Sequence, residues 1–162
     1  MEAGPPQTYY IIGGYEMSAF GTGPFENDGA LDFFDEIFES GNVVATCTSI
    51  FNAAINSSGL YDDECECVSV CGAIVDSVIN GTDYEDIATD LAADGMYMEW
   101  INGLRSASLS DFIQLKDKAA KALAFLISED SEMYEGWNDA GSLLEWREPY
   151  EQMIKRLQNY AV

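Results

Sequence analysis

The amino-acid sequence predicts an all-α protein, a single compact domain of about six or seven helices. Three observations lead to this prediction. Apolar residues recur every three or four positions along most of the chain, Gly and Asn interrupt these stretches, and scarcely any stretch alternates between apolar and polar residues. With 162 residues, of which 48% are hydrophobic, the chain is long enough to bury a core of its own.

The first 16 residues differ in composition from the rest of the chain. They read MEAGPPQTYYIIGGYE, with Gly-Pro-Pro, then an aromatic and β-branched run, then Gly-Gly. This composition is typical of an extension, and we expect one short strand within it. We therefore divide the chain into an N-terminal extension, residues 1–16, and a helical domain, residues 17–162.

A glycine-rich turn leads into the first predicted helix in the stretch GTGPFENDGALDFFDEI. Glycine permits left-handed backbone angles and proline fixes its own φ, so GTGP predicts a turn. We expect the stretch to be structural rather than an active-site loop. Its residues supply the turn, a core anchor, the helix cap and a carboxylate at the positive end of the helix dipole. Gly21, Gly23 and Pro24 form the turn, and Phe25 is the core anchor. Asn27 or Asp28 caps the helix, and Asp32 is the carboxylate at its positive end.

The helical period continues through two more helices. The first helix ends at Gly41, and NVVATCTSIFNAAINSSG predicts the second. Asp62 opens the third, which ends at Asn80 and Gly81. The buried stripes are expected to be Ala30, Phe33, Phe34, Ile37 and Phe38 in the first helix, Val44, Cys47, Phe51 and Ala54 in the second, and Cys67, Cys71, Ile74 and Val78 in the third.

Four further helices are predicted after the third. A capping-box pattern, Thr-x-x-Glu, favours a short acidic helix over residues 83–94. The longest helix begins at Ser108 or Ser110, and two more follow it, separated near Gly141. Pro149 either kinks the last helix or occupies its first position. The buried line of the longest helix is expected to be Phe112, Leu115, Ala119, Leu123 and Leu126.

The charge of the chain is strongly negative and unevenly distributed. The formal net charge is -22, from 29 acidic and 7 basic residues without any histidine. Residues 1–104 contain 19 of the acidic residues and no Lys or Arg. Because the few cations lie in the last third, most of this charge must face solvent, counterions or a basic partner.

This charge excludes some partners. Direct binding to nucleic acid depends on Lys and Arg neutralising phosphates, and an anionic membrane surface attracts basic segments, so neither is expected. We see no secretory signal and no apolar run of about 20 residues, which indicates a cytoplasmic protein. The oligomeric state is left open. Solvation alone, or adaptation to high salt, would also account for the charge.

The four cysteines are expected to be reduced thiols on helices rather than metal ligands. Structural zinc usually requires paired C-x2-4-C elements, whereas ECECVSVC has the spacing C-x-C-x3-C. On a helix Cys65 and Cys67 point to different sides, and only Cys67 and Cys71 share a face. We therefore predict no metal and no cofactor.

Three segments resemble the domain of unknown function 4259 family, a group of small bacterial proteins. The opening MSAFGTGPFENDGALDFFDEI is similar to the family's Gly-x-Gly-x-Phe-x-Asn-Asp run into a helix with Ala-x-Asp. YDDECECVSVCGAIVDSVING and the region from residue 118 to 157, with Trp137 and Trp146, agree more loosely. The chain departs from the family at Phe20, where relatives often have Trp, and at Gly29, where they often have an acid. The resemblance implies a domain extent and no established activity.

We predict a non-catalytic, strongly acidic interaction protein that occupies a basic, nucleic-acid-handling surface of a protein partner. Phage anti-defence inhibitors, nucleic-acid mimics and toxin-immunity proteins are such proteins. The acidic run without cations motivates this prediction, because steered association needs opposite charge. The predicted partner-binding residues are Asp62, Asp63, Glu64, Glu66, Asp83, Glu85, Asp86 and Asp90.

One catalytic alternative remains. Without histidine, Ser-His and Cys-His nucleophiles are impossible, which leaves carboxylates that hold magnesium and a substrate phosphate. Helical nucleotide pyrophosphohydrolases use a Glu-x-x-Glu followed by a Glu-x-x-Asp. Glu36 and Glu39 match the first of these patterns, whereas Asp83, Asp86 and Asp90 supply further carboxylates without matching the second.

Overall fold

The computed structural model describes residues 10–12, 15–17, 23–26, 28–84 and 95–161. These residues form a helical domain preceded by an antiparallel pair of strands, β1 (Tyr10–Ile12) and β2 (Tyr15–Met17). The sequence predicts one strand in this part of the chain. The all-α prediction for the domain is confirmed. The helices are α1 (Asp28–Ser40), α2 (Val43–Ile55), α3 (Asp62–Asn80), α4 (Met96–Leu126), α5 (Glu132–Asp139) and α6 (Leu143–Asn159).

Helix α3 lies at the centre of the domain. The other five helices all contact it, and every residue from 68 to 79 is buried. A helix segment that packs on all sides lies in a core, so the four residues predicted to be buried in α3 are only part of its buried surface. Gly72 lets α4 pack close to α3, because a Cβ at this position would lie only 2.7 Å from Leu123 Cδ2 of α4. Cys67, predicted within the stripe, is only half-buried.

Helix α4 begins earlier than the sequence predicts. Its first residue is Met96 rather than Ser108 or Ser110, and it spans 31 residues. Ser108 instead marks an interruption, with φ -144° and ψ 24° inside the helix. The Gly and Asn of GMYMEWINGL have weak helix propensity, which burial of Tyr97 and Ile101 overrides. All five residues of the predicted buried line after the interruption are buried.

Two other predictions concern the ends of helices. Residues 85–94, most of the predicted short acidic helix, lie outside the described residues. The final two helices are separated by Gly141 with φ 77°, as the sequence predicts. Pro149 lies inside α6 rather than at its first position, so the helix lacks the backbone bond that its N–H would make to Glu145.

An ion pair with a fully buried carboxylate joins α3 to α6. Asp76 of α3 has no exposed surface, and Arg156 donates to both of its carboxylate oxygens, at 2.8 Å from Nη2 to Oδ2 and 3.1 Å from Nε to Oδ1. Asn80 Nδ2 donates to Oδ1 at 2.9 Å and Tyr84 Oη donates to Oδ2 at 2.7 Å. Burial and the Asp76 charge raise the pKa of Tyr84 well above its ordinary value, so this hydroxyl stays a donor.

The C-terminal end of α3 is held by α4. Arg105 Nε donates to the carbonyl of Val78 at 2.7 Å, and Ser77 Oγ lies 2.7 Å from Tyr97 Oη. Gly81 ends the helix with φ 72° in the left-handed region. A cation at this end of a helix satisfies free carbonyls and opposes the negative end of the dipole. Side chains of α4 and α6 thus fix the position of α3 along its axis.

The ion pair gives a stability prediction. Arg156→Met leaves the buried Asp76 carboxylate without its cation, and we expect a loss of about 3 kcal/mol in the free energy of unfolding, measured by urea titration. Arg147→Met on the same helix is the control, because its partner Glu151 is 41% exposed whereas Asp76 has no exposed surface, and exposed pairs contribute about 0–1 kcal/mol. Equal losses in the two variants would contradict the role given to Asp76.

Candidate functional site

The glycine-rich turn is tied to two helices of the core. Glu26 N donates to Gly23 O at 3.1 Å, which closes the turn, and Gly23 N donates back to Glu26 Oε1 at 3.2 Å. A Cβ at Gly23 would overlap this carboxylate. Ser69 Oγ of α3 donates to Pro24 O at 3.1 Å and lies 2.8 Å from Tyr150 Oη of α6. Two polar contacts therefore close the turn on itself, and a third, through Pro24 O, ties it to the core.

Phe25 fills the space beneath this turn. It is 2% exposed and packs edge-on against Phe34 with ring centroids 5.6 Å apart, and it also contacts Tyr84 and Tyr97. Among the other motif positions, Asp28 and Asp32 are exposed on α1, and the two tryptophans are buried. Trp137 lies on α5 and Trp146 on α6, while Gly21 and Asn27 lie outside the described residues.

The structure does not place the predicted partner-binding residues in one group. Asp62 and Asp63 are exposed in the first turn of α3, and Glu64 and Glu66 are half-buried beside them. Asp83 is exposed beyond the other end of this helix of 19 residues, which at 1.5 Å per residue is about 28 Å long. The remaining three residues of the prediction, Glu85, Asp86 and Asp90, lie outside the described part of the chain.

Acids from two other helices join the first turn of α3. On α1, the charge of Asp32 acts on the Glu66 carboxyl and the charge of Glu36 acts on the Cys67 thiol. The charge of Glu132 on α5 acts on Asp62. Sequence spacing could not find these neighbours, because they depend on how α1 and α5 pack against α3. We call this group the acidic face: Asp32, Glu36, Asp62, Asp63, Glu64, Glu66 and Glu132.

Glu132 is placed there by a contact between two loops. Leu60 N donates to Asp130 O at 3.0 Å, and Glu132 N donates to Leu60 O at 2.9 Å. Glu132 Oε2 then accepts from Asp62 N at 3.1 Å. Glu64 Oε1 accepts from Tyr61 N at 3.4 Å, one half of a capping box. Two acids of the face therefore also cap the start of α3.

The carboxylates of the acidic face repel one another. Burial, together with the charges of Asp62, Asp63 and Asp32, raises the pKa of Glu66 to about 7. Burial also raises the pKa of Asp62, as do Glu132 and Asp63. The described residues include every Lys and Arg of the chain, yet none of these cations pairs with the face. The ion pairs are Lys116 with Asp117, Arg147 with Glu151, and Arg156 with Asp76.

Glu66 lies directly against the backbone of α1. A Cβ at Gly29 would overlap the Glu66 carboxylate, so only glycine leaves room for that side chain where it stands. This contact places the carboxylate near the first turn of α1, where the helix dipole is positive. The geometry explains why Glu66 is half-buried although it lies on an acidic surface.

A small cleft opens between α2 and α3 beside the acidic face. Its volume is about 100 Å³, whereas pockets for small-molecule ligands usually measure about 300–1,000 Å³. Burial, together with the charges of Glu66 and Asp63, raises the pKa of the Cys67 thiol in this cleft to about 11. The thiol is therefore protonated at neutral pH and a poor nucleophile. The lining residues are Ile50, Ala53, Ala54, Leu60, Asp63, Glu64, Cys67 and Val68.

A second cavity, of about 340 Å³, lies where α2 begins and α4 is interrupted. Ser108 and Leu104 of α4 face Asn42 and Val43 across it, and Asp111 is its single charged lining residue. One carboxylate cannot supply both an acid and a base, so the lining offers no acid–base pair for catalysis.

The cysteines are free thiols in three separate surroundings. Cys65 Sγ lies 3.2 Å from Ser131 Oγ, Cys71 is buried beside Cys47, and Cys67 lines the cleft. Within the ranges that the structure describes, no three Cys, Asp or Glu residues lie close enough to hold a metal ion. The magnesium ligands suggested by the sequence are exposed where described, at Glu36, Glu39 and Asp83.

The environment of Glu66 gives a prediction about pH. The pKa of Glu66 in the folded protein, about 7, exceeds its ordinary value of 4.5, so the folded state binds this proton more tightly than the unfolded state does. The free energy of unfolding therefore falls as the pH rises from 4.5 to about 7. Glu66→Gln removes that loss. We expect its melting temperature to exceed wild type above pH 7 and the difference to shrink towards pH 4.5, whereas the exposed control Glu39→Gln should show no such trend. A constant difference for Glu66→Gln would contradict the prediction.

No helix in the described ranges has the length and apolarity needed to cross a membrane.

Comparison with known proteins gives a family and no characterised relative. Neither the curated proteins nor the solved structures contain a match to this chain. A family model described as "Domain of unknown function (DUF4259)" matches residues 18–149. This match covers most of the helical domain, including the turn, the acidic face and the cleft. The chain therefore belongs to the DUF4259 family.

Proposed function

We propose that this protein is a non-catalytic interaction protein whose acidic face occupies a basic surface of a protein partner, one that handles nucleic acid. The observation that carries the proposal is the acidic face itself. It gathers seven acidic residues from three helices. Asp32, Asp62 and Asp63 repel the charged form of Glu66, Glu132 acts on Asp62 in the same way, and no Lys or Arg of the chain pairs with any of the seven. A basic partner would relieve that repulsion.

The elements that carry the face support this use. Helices α1, α3 and α5 pack around one core, so the carboxylates are displayed on rigid elements rather than on loops. A fixed array of charge loses little conformational entropy on binding, and it raises the association rate by steering a partner of opposite sign. A surface that recognises phosphates through Lys and Arg offers such a charge pattern.

The proposal is tested first by capture from cells of the protein's own source. The tagged protein is incubated with lysate at low salt and then washed at high salt, and the released proteins are identified by mass. We expect a stoichiometric basic partner that salt releases, because exposed charge interactions are screened within about 8 Å at physiological ionic strength. Direct binding of a labelled DNA or RNA duplex, or magnesium-dependent hydrolysis in a nucleotide panel, would contradict the proposal.

Charge reversal on the face then tests the captured complex. The double variant Glu36→Lys with Asp63→Lys changes two exposed carboxylates of α1 and α3. We expect its association rate at low salt to fall about tenfold or more, with little change in melting temperature. The matched control, Asp111→Lys with Glu148→Lys, makes the same charge change on α4 and α6, outside the face. Equal slowing by both variants would show that net charge, not the acidic face, attracts the partner.

A further inference from the structure

The cleft beside the acidic face has the size of one apolar side chain. Its volume is about 100 Å³, less than the roughly 150 Å³ of an engineered apolar cavity that binds benzene. Five of its lining residues are apolar, and the neutral thiol of Cys67 adds to them. Ile50, Ala53 and Ala54 form the α2 side, and Leu60 and Val68 form the opposite side.

Exposed apolar side chains lie next to this cleft in the sequence. Tyr61, which follows the lining residue Leu60, is 65% exposed, and Ile55, which follows Ala54, is 37% exposed. The other large exposed apolar residues in the described ranges are Met96 and Leu144. Protein interfaces gain most of their affinity from a few side chains that fill pockets, which is the use that a cleft of this size allows.

The charge around the cleft determines the kind of occupant. Asp63 and Glu64 line it, and Asp62 and Glu66 lie beside them in the same first turns of α3. A second copy of this chain, with a net charge of -22, would bring like charge to this rim. An anionic lipid would be repelled for the same reason. The complementary occupant is a segment that carries Lys or Arg on both sides of an apolar residue.

We infer that the cleft is a docking site for one aliphatic side chain, Leu, Ile or Met, from a basic segment of the partner protein. This inference rests on the proposed function and adds a second element of recognition to it. Lys and Arg of the segment pair with Asp63 and Glu64, while the aliphatic side chain packs between α2 and α3. The charges set the rate of encounter, and the anchor slows dissociation.

Two synthetic peptides test the anchor separately from the charge. Both are helix-forming, Lys-rich and equal in charge, and they differ only in a central Leu or Ala. Affinity is measured by fluorescence anisotropy at low and at physiological salt. A Leu side chain buries more apolar surface in the cleft than an Ala side chain does, so we expect the Leu peptide to bind about tenfold more tightly than the Ala peptide.

A variant that fills the cleft completes the test. Ala53 is exposed on α2 and lines the cleft, so Ala53→Leu occupies that space without a change in charge. We expect the tenfold difference between the peptides to disappear in this variant while the Ala peptide binds as before. Ala124→Leu, at an exposed position of α4, is the matched control and should keep the difference.

The possible results separate the anchor from the acidic face. If both peptides bind wild type equally, and salt weakens both, the acidic face attracts basic segments and the anchor inference is overturned. The anchor is also overturned if Ala53→Leu leaves the tenfold difference in place. If neither peptide binds at low salt, the anchor inference fails together with the charge attraction on which the proposed function depends.

Discussion

Asp76 carries a carboxylate in the part of α3 where every residue, from 68 to 79, is buried, and the domain is arranged to satisfy it. An unpaired carboxylate in such a position costs several kcal/mol, so α6 must place Arg156 beside it and residues 80 and 84 must complete its hydrogen bonds. Because the partners come from two parts of the chain, the pair selects one position of α6 along α3. Apolar packing alone would specify that position less sharply.

Two of the seven cations of the chain hold α3 in place. Arg156 neutralises a buried acid, and Arg105 caps the carbonyls at the end of α3. Neither is left to balance the acids at the start of the same helix. The acidic face therefore results from where the positive charge goes as much as from the number of acids. Among the described residues, this unequal distribution leaves the acids around the start of α3 without a paired cation.

The predictable part of the structure is the part that local patterns determine. The ends of α3 and the buried line in the second half of α4 follow from capping residues and helical spacing. The start of α4 could not be predicted, because its Gly and Asn mask a segment that is helical through tertiary packing. The pairing of Asp76 with Arg156 spans 80 positions and leaves no local signal. For the same reason, the run of acids in α3 is visible in the sequence, whereas the positions of Asp32 and Glu132 beside that run depend on helix packing and are not.

The contact between Gly29 and Glu66 ties the exposure of an acid on one helix to a residue on another. A Cβ at position 29 would overlap the Glu66 carboxylate, so any larger residue there requires the flexible Glu66 side chain to move away from α1. Such a movement would take the carboxylate from its half-buried position into solvent. A substitution on α1 would therefore change the surroundings of an acid on α3 without changing that acid.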